Sequence, residues 1–168
     1  MVAYLKRMDT GYAGDMTREP APGDIVNEVL DSGTDWSTYG FGLPVKYNTV
    51  GKVVPVAAGD TAEKITGFLV RSFPGRAVSF TGDVAYPQIV AGAYPVARRG
   101  FMAVKLQGSA TPVKGGPVYV RISGTTKTLL LGGVEGAADS ANTIEVPNAQ
   151  FEGPAGADGV TEISFTIL

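Results

Sequence analysis

Glu162-Ile163-Ser164-Phe165-Thr166-Ile167-Leu168 alternates polar and apolar side chains almost without a break. Successive side chains of an extended chain point to opposite faces, so this stretch predicts a strand with one face in a core and the other in solvent. Working back from it, the same chemistry recurs in short pieces at residues 143–146, 128–131, 118–122, 101–106, 94–97 and 77–81. Further back, Gly67-Phe68-Leu69-Val70-Arg71-Ser72-Phe73 runs into Pro74-Gly75. Phe41-Gly42-Leu43-Pro44-Val45-Lys46-Tyr47 and Gly51-Lys52-Val53-Val54-Pro55-Val56 flank Asn48-Thr49-Val50, the spacing of a hairpin. Pro44 and Pro55 cannot donate to a ladder, which places them at strand ends or on an edge. Asp60-Thr61-Ala62-Glu63-Lys64-Ile65 predicts one helical turn, with Asp60 as N-cap and Glu63 completing a capping box. Gly59 and Gly67 confine that turn.

About ten short strands, joined by turns and with no long amphipathic helix, predict an all-β fold: a single β-barrel or jelly-roll-like sandwich. The 23 glycines and 11 prolines fit that reading, because they fall between the apolar runs. A chain of 168 residues holds one domain with a core that needs no staples. No repeat of 20–50 residues points to a solenoid or propeller.

The composition also removes chemistries. There is no cysteine and no histidine. Disulfides, thiolate metal sites, cysteine nucleophiles, imidazole bases and every Ser-His or Cys-His arrangement are therefore excluded. No apolar run approaches the roughly 18 residues of a membrane span. The opening MVAYLKRMDT has two basic residues but no apolar core behind them, so it is not read as a secretory signal. No glycine-rich loop leads into a helix of useful length, so no phosphate cradle and no cofactor is expected.

Residues 1–35 differ from the rest. They are rich in turn formers and lack sustained periodicity, which predicts an extended N-terminal arm ahead of a β-domain over 36–168. Tyr4, Leu5, Met8, Tyr12 and Met16 are its expected anchors. The net charge of −2 hides an asymmetry: −4 over residues 1–35, +5 over 36–106 and −3 over 107–168. Acidic ends around a basic middle favour contact between the ends of one copy and the middle of another.

Four constellations were weighed as sites. Asp24, Glu28, Asp31 and Asp35 form one acidic group, and Glu135, Asp139 and Glu145 another. Neither has calcium-loop spacing, and both read as solvated loop acids rather than the paired carboxylates of a hydrolase. Arg71, Arg76, Arg98 and Arg99, with Lys105 and with Phe73, Tyr86, Tyr94 and Phe101 interleaved, form a basic patch. The acidic balance of the chain (pI about 5.1) argues against nucleic acid there and for an acidic protein surface. Trp36 and Tyr39 are expected to clamp the arm; the rival reading makes Trp36 the sugar platform of a carbohydrate- or host-surface-binding sandwich.

Three runs carry a resemblance. Tyr39-Gly40-Phe41-Gly42-Leu43-Pro44-Val45, then Val54-Pro55-Val56-Ala57-Ala58-Gly59-Asp60, then Ile65-Thr66-Gly67-Phe68-Leu69-Val70-Arg71-Ser72-Phe73-Pro74 resemble the structural cement proteins that decorate tailed-bacteriophage heads. Ala3-Tyr4-Leu5, Gly14-Asp15 and Thr17-Arg18 look like the opening arm of that family. The match covers about 60 of the 168 residues. The resemblance implies a non-enzymatic β-barrel or jelly-roll-like protein on the outer surface of the virion capsid. It further implies homodimers or homotrimers that bridge neighbouring major capsid proteins; from composition and spacing, no metal and no membrane partner is expected.

Overall fold

The computed structural model describes residues 11–71, 89 and 92–167. Among the described residues ten strands carry the fold: β1 Ile25–Val29, β2 Pro44–Tyr47, β3 Val53–Pro55, β4 Ile65–Leu69, β5 Ala93–Ala97, β6 Arg99–Gln107, β7 Pro117–Arg121, β8 Val134–Glu135, β9 Thr143–Phe151 and β10 Val160–Thr166. They form a closed barrel, β10-β6-β8-β7-β9, and a five-stranded sheet in the order β1-β5-β4-β2-β3. The expected all-β class is the observed one. The predicted run 77–81 lies outside the described residues.

β10 shows how the sequence pattern becomes packing. Ile163 and Phe165 are buried, while Glu162, Ser164 and Thr166 between them are half-exposed. Ile163 pairs with Met102 of β6, and both side chains are fully buried in the barrel core. Val104, Val118, Val120, Val134, Val146 and Phe151 complete that core. β4 and β5 serve two cores at once, because alternate residues face opposite sides. Phe68 and Ala97, which pair, join the barrel core; the Phe68 and Phe165 rings stand 4.8 Å apart at 54°. The next pair, Leu69 and Val96, belongs to a second core with Leu30, Trp36, Tyr39, Leu43, Val45, Val53 and Ile89. Full burial of each of these large side chains is worth roughly 1.5–3 kcal/mol.

The predicted hairpin is present. β2 and β3 pair antiparallel with Tyr47 opposite Val53, and the Asn48 side chain accepts the N–H groups of Val50 and Lys52. Pro44 opens β2, and Pro55 closes the edge strand β3, where a missing N–H costs no ladder bond.

Three expectations fail for local reasons. Residues 128–131 are bend, irregular backbone and turn rather than a strand. The Thr126 hydroxyl accepts the N–H groups of Thr128 and Leu129, a side-chain competition that threonine favours over a ladder. Asp60 does not cap the turn at Ala62–Lys64, so no capping box forms. It is instead buried, accepting the Ala57 N–H at 2.6 Å and pairing with Lys46 at 2.6 Å and Lys64 at 3.4 Å. Burial opposes the charge on Asp60, but these donors outweigh it and hold its carboxyl below the usual range. Finally, Ile25–Val29, inside the stretch read as an arm, is strand β1 of the sheet.

Glu135 is likewise not a solvated loop acid but a buried one, and Asp139, though partly exposed in its loop, is tied to the same arginine. Arg121 is fully buried and forks onto Glu135 (Nε to Oε1 2.5 Å, Nη2 to Oε2 3.1 Å), and it also reaches Asp139 at 2.7 Å. Its Nη1 donates to the carbonyls of Ser123 and Gly124. The Arg121 guanidinium and the Asn142 amide hold the Asp139 carboxyl below its usual range.

Two outcomes follow from this packing. Arg121→Met leaves Glu135 buried without its partner and should cost about 3–5 kcal/mol, whereas Arg121→Met combined with Glu135→Leu should recover most of that loss. Urea-denaturation midpoints of the three proteins check this. Gly132 has φ +76°, and a Cβ there would collide with the buried Tyr39 hydroxyl. Gly132→Ala should therefore lower stability by roughly 1–3 kcal/mol with an unchanged denaturant slope.

Candidate functional site

Along part of β6 the barrel wall is completed by chain outside the barrel strands. β6 pairs with β10 along one side, but on the other side β8 covers only Leu106 and Gln107. Residues 12–18 fill the rest as a strap. Gly14 N donates to Ala103 O at 2.8 Å, Ala103 N to Asp15 O at 2.9 Å and Thr17 N to Phe101 O at 3.0 Å. Met16 bridges to Met102 and packs on the barrel core. Gly14 has φ +90°, and a Cβ there would stand 2.5 Å from that of Phe41, so only glycine seats the strap. Arg18 lies 3.5 Å from the Phe101 ring centroid, and both Thr17 and Arg18 reach Glu162.

Among the expected arm anchors, Met16 is thus held by its own barrel. Tyr12 is 69% exposed with the Arg71 guanidinium 4.5 Å from its ring centroid. Tyr4, Leu5 and Met8 lie outside the described residues, as do Arg76, Phe73 and Tyr86 of the expected basic patch. Arg98 and Arg99 come together at the junction of sheet and barrel, where acidic residues meet them. Arg98 bonds to Glu28 at 3.0 Å and to the Tyr47 hydroxyl at 2.8 Å. Arg99 reaches Asp24 at 2.7 Å, and Arg98 N donates to Asp24 O. The acidic segment and basic middle seen in the sequence therefore meet within one chain. Asp24 and Glu28 were misread as solvated loop acids; the charge asymmetry was the signal that could have paired them with the arginines.

Trp36 and Tyr39 are not surface clamps. Trp36 is 4% exposed and Tyr39 2%, packed edge to face at 5.8 Å. The indole N–H donates to Asp31 O, and the Tyr39 hydroxyl donates to Pro44 O. Burial pushes the Tyr39 hydroxyl far above its usual range. An indole with so little exposed area offers no stacking platform to a sugar. Among the described residues, no group of three or more acidic side chains is arranged to hold a metal ion.

Two clefts, of about 520 and 540 Å³, flank the Asp24–Arg99 pair. Among the described residues, the exposed large apolar side chains include Val50 (72%) in the β2–β3 turn and Val113 (67%) in the β6–β7 loop, together with Tyr12 on the strap, Val29 on β1 and Tyr47 on β2.

A family model described as structural cement protein (E217 gp24/Pam3 gp6) matches residues 2–166. No curated protein matches the chain by sequence. A chain in the solved capsid of Myoviridae phage XM1 has a similar fold, with a TM-score of 0.68 at 22% identity, over 99% of this chain and 97% of that one. The family is one of structural proteins rather than enzymes. With the match running from residue 2 to residue 166, the chain belongs to the structural cement protein family of bacteriophages.

Proposed function

We propose that this structural protein of the phage capsid sits on the outer face of the mature head and bridges neighbouring major capsid proteins, as a homodimer or homotrimer. Packaged DNA pushes outward on a shell, so its joints must resist being pulled apart. A rigid body across a joint adds buried area where the shell has little, and repetition around the head adds avidity to contacts that are individually weak.

The observation that carries this reading is the distribution of exposed apolar groups. The barrel is closed, the strap covers β6, and the sheet's edge strands approach each other through the Leu30–Val53 bridge. Against that sealed body, Val50 projects from the sheet and Val113 from the barrel, on two different units. Bridging needs two contact points held by a rigid spacer, and this arrangement supplies them. The N-terminal residues Tyr4, Leu5 and Met8 are further proposed contacts.

Co-sedimentation with expanded capsids lacking the protein tests this. Saturable binding at a fixed ratio to shell subunits is expected. Val50→Asp and Val113→Asp should each weaken it about tenfold or more, equivalent to about 1.4 kcal/mol. Removal of residues 1–10 should weaken binding while leaving the fold intact; removal through residue 18 would also unseal β6 and is not a clean test. A folded protein that fails to bind would overturn the reading.

A further inference from the structure

We propose that Tyr12 and Arg71 together form a contact point for a carboxylate side chain of the capsid shell, with the ring holding the guanidinium in place for bidentate recognition. This deepens the shell-binding reading, on which it rests, by adding a charged contact on the strap.

Arg71 differs from the other described arginines. Arg18 reaches Glu162, Arg98 reaches Glu28, Arg99 reaches Asp24, and Arg121 reaches both Glu135 and Asp139. Among the described residues no carboxylate pairs with Arg71; its guanidinium sits over the Tyr12 ring, 4.5 Å from the centroid. Asp15 shares a turn with Tyr12, but its Oδ2 accepts the Tyr12 N–H at 3.0 Å. A guanidinium that meets a ring keeps its N–H donors for another partner. Two of those donors, parallel and in one plane, match the two oxygens of a carboxylate.

Both groups are fixed from behind. Residues 12–15 close a turn in which Asp15 N donates to Tyr12 O at 3.0 Å. Gly14 N donates to Ala103 O at 2.8 Å, which pins the turn to β6, and Arg71 N donates to Gly14 O at 2.8 Å. One glycine therefore positions the backbone beneath the ring and beneath the guanidinium. Tyrosine has only two side-chain torsions to freeze, so a partner meets a surface whose ordering is largely complete. Yet Tyr12 is 69% exposed, more than any other aromatic among the described residues, and Arg71 is half-buried. Tyrosine and arginine are the residue types that dominate affinity at protein interfaces. Charge decides the occupant. An apolar or basic partner would bury the guanidinium with its donors unmet, whereas a carboxylate answers both the charge and the donors.

Titration of expanded capsids lacking the protein, read by co-sedimentation, tests the contact. Arg71→Gln and Tyr12→Leu should each weaken binding about tenfold, and the double variant should lose little more, because the two side chains act as one unit. Arg71→Lys keeps the charge but not the planar fork, and should bind as weakly as Arg71→Gln. These changes leave the backbone bonds of Gly14 and Arg71 in place, so the variants should melt with the unaltered chain. Amidating the surface carboxylates of the shells should cost the unaltered chain about tenfold more affinity than it costs Arg71→Gln. Normal binding by Arg71→Gln, Arg71→Lys or Tyr12→Leu, losses that simply add in the double variant, or equal losses on amidated shells would each overturn the proposal. An unaltered chain that binds no shell would instead overturn the bridging reading, and this contact with it.

Discussion

Chain from Ala93 to Gln107 runs through both halves of the molecule, as β5 in the sheet and β6 in the barrel, with Arg98 alone between them. That continuity is the constraint on which the rest depends. It obliges the sheet and barrel to share a corner, and a corner breaks the ladder on both sides. The broken groups are recovered by one antiparallel line of chain, the strap and β1, which tracks β6 and then β5. Where that line bulges, Arg98 and Arg99 tie it down through Glu28 and Asp24. Arg98 and Arg99 keep 43% and 57% of their side-chain surface exposed, so these bonds act more as register marks than as large sources of stability. The large terms are the apolar cores on either side of β4 and β5.

The cores were readable because their periodicity is strict. β10 alternates from Glu162 to Thr166, and the hairpin around Asn48 carries the turn chemistry that hairpins need. β1 was not readable: Ile-Val-Asn-Glu-Val sits between proline-rich and Asp/Ser/Gly-rich runs, and its alternation is spoiled because one end packs on the barrel while Val29 overhangs it. β8 is two residues long, below any periodic signal. The expected strand at 128–131 was lost to hydroxyl–backbone bonds, which composition alone cannot weigh against a ladder.

The site was legible only in part, for a related reason. A sequence states which charges a chain carries but not which of them meet. The acidic arm and basic middle were visible, yet the same arithmetic fits contact within a chain or between chains. Trp36 and Tyr39 were misplaced because an aromatic beside Asp, Ser and Gly resembles a surface loop. Here a loop carries both rings inward to cover the far face of the sheet.

Such a fold suits a structural protein of the phage capsid. An unsealed strand edge in a molecule repeated over a shell would invite pairing with any neighbour. Barrel closure, the strap on β6 and the Leu30–Val53 bridge each limit such contact. The seal on β6 is the most selective of them. Its glycine contacts reject ordinary side chains at one position and its Glu162 cluster asks for donors at another, so negative selection is built into the seat itself.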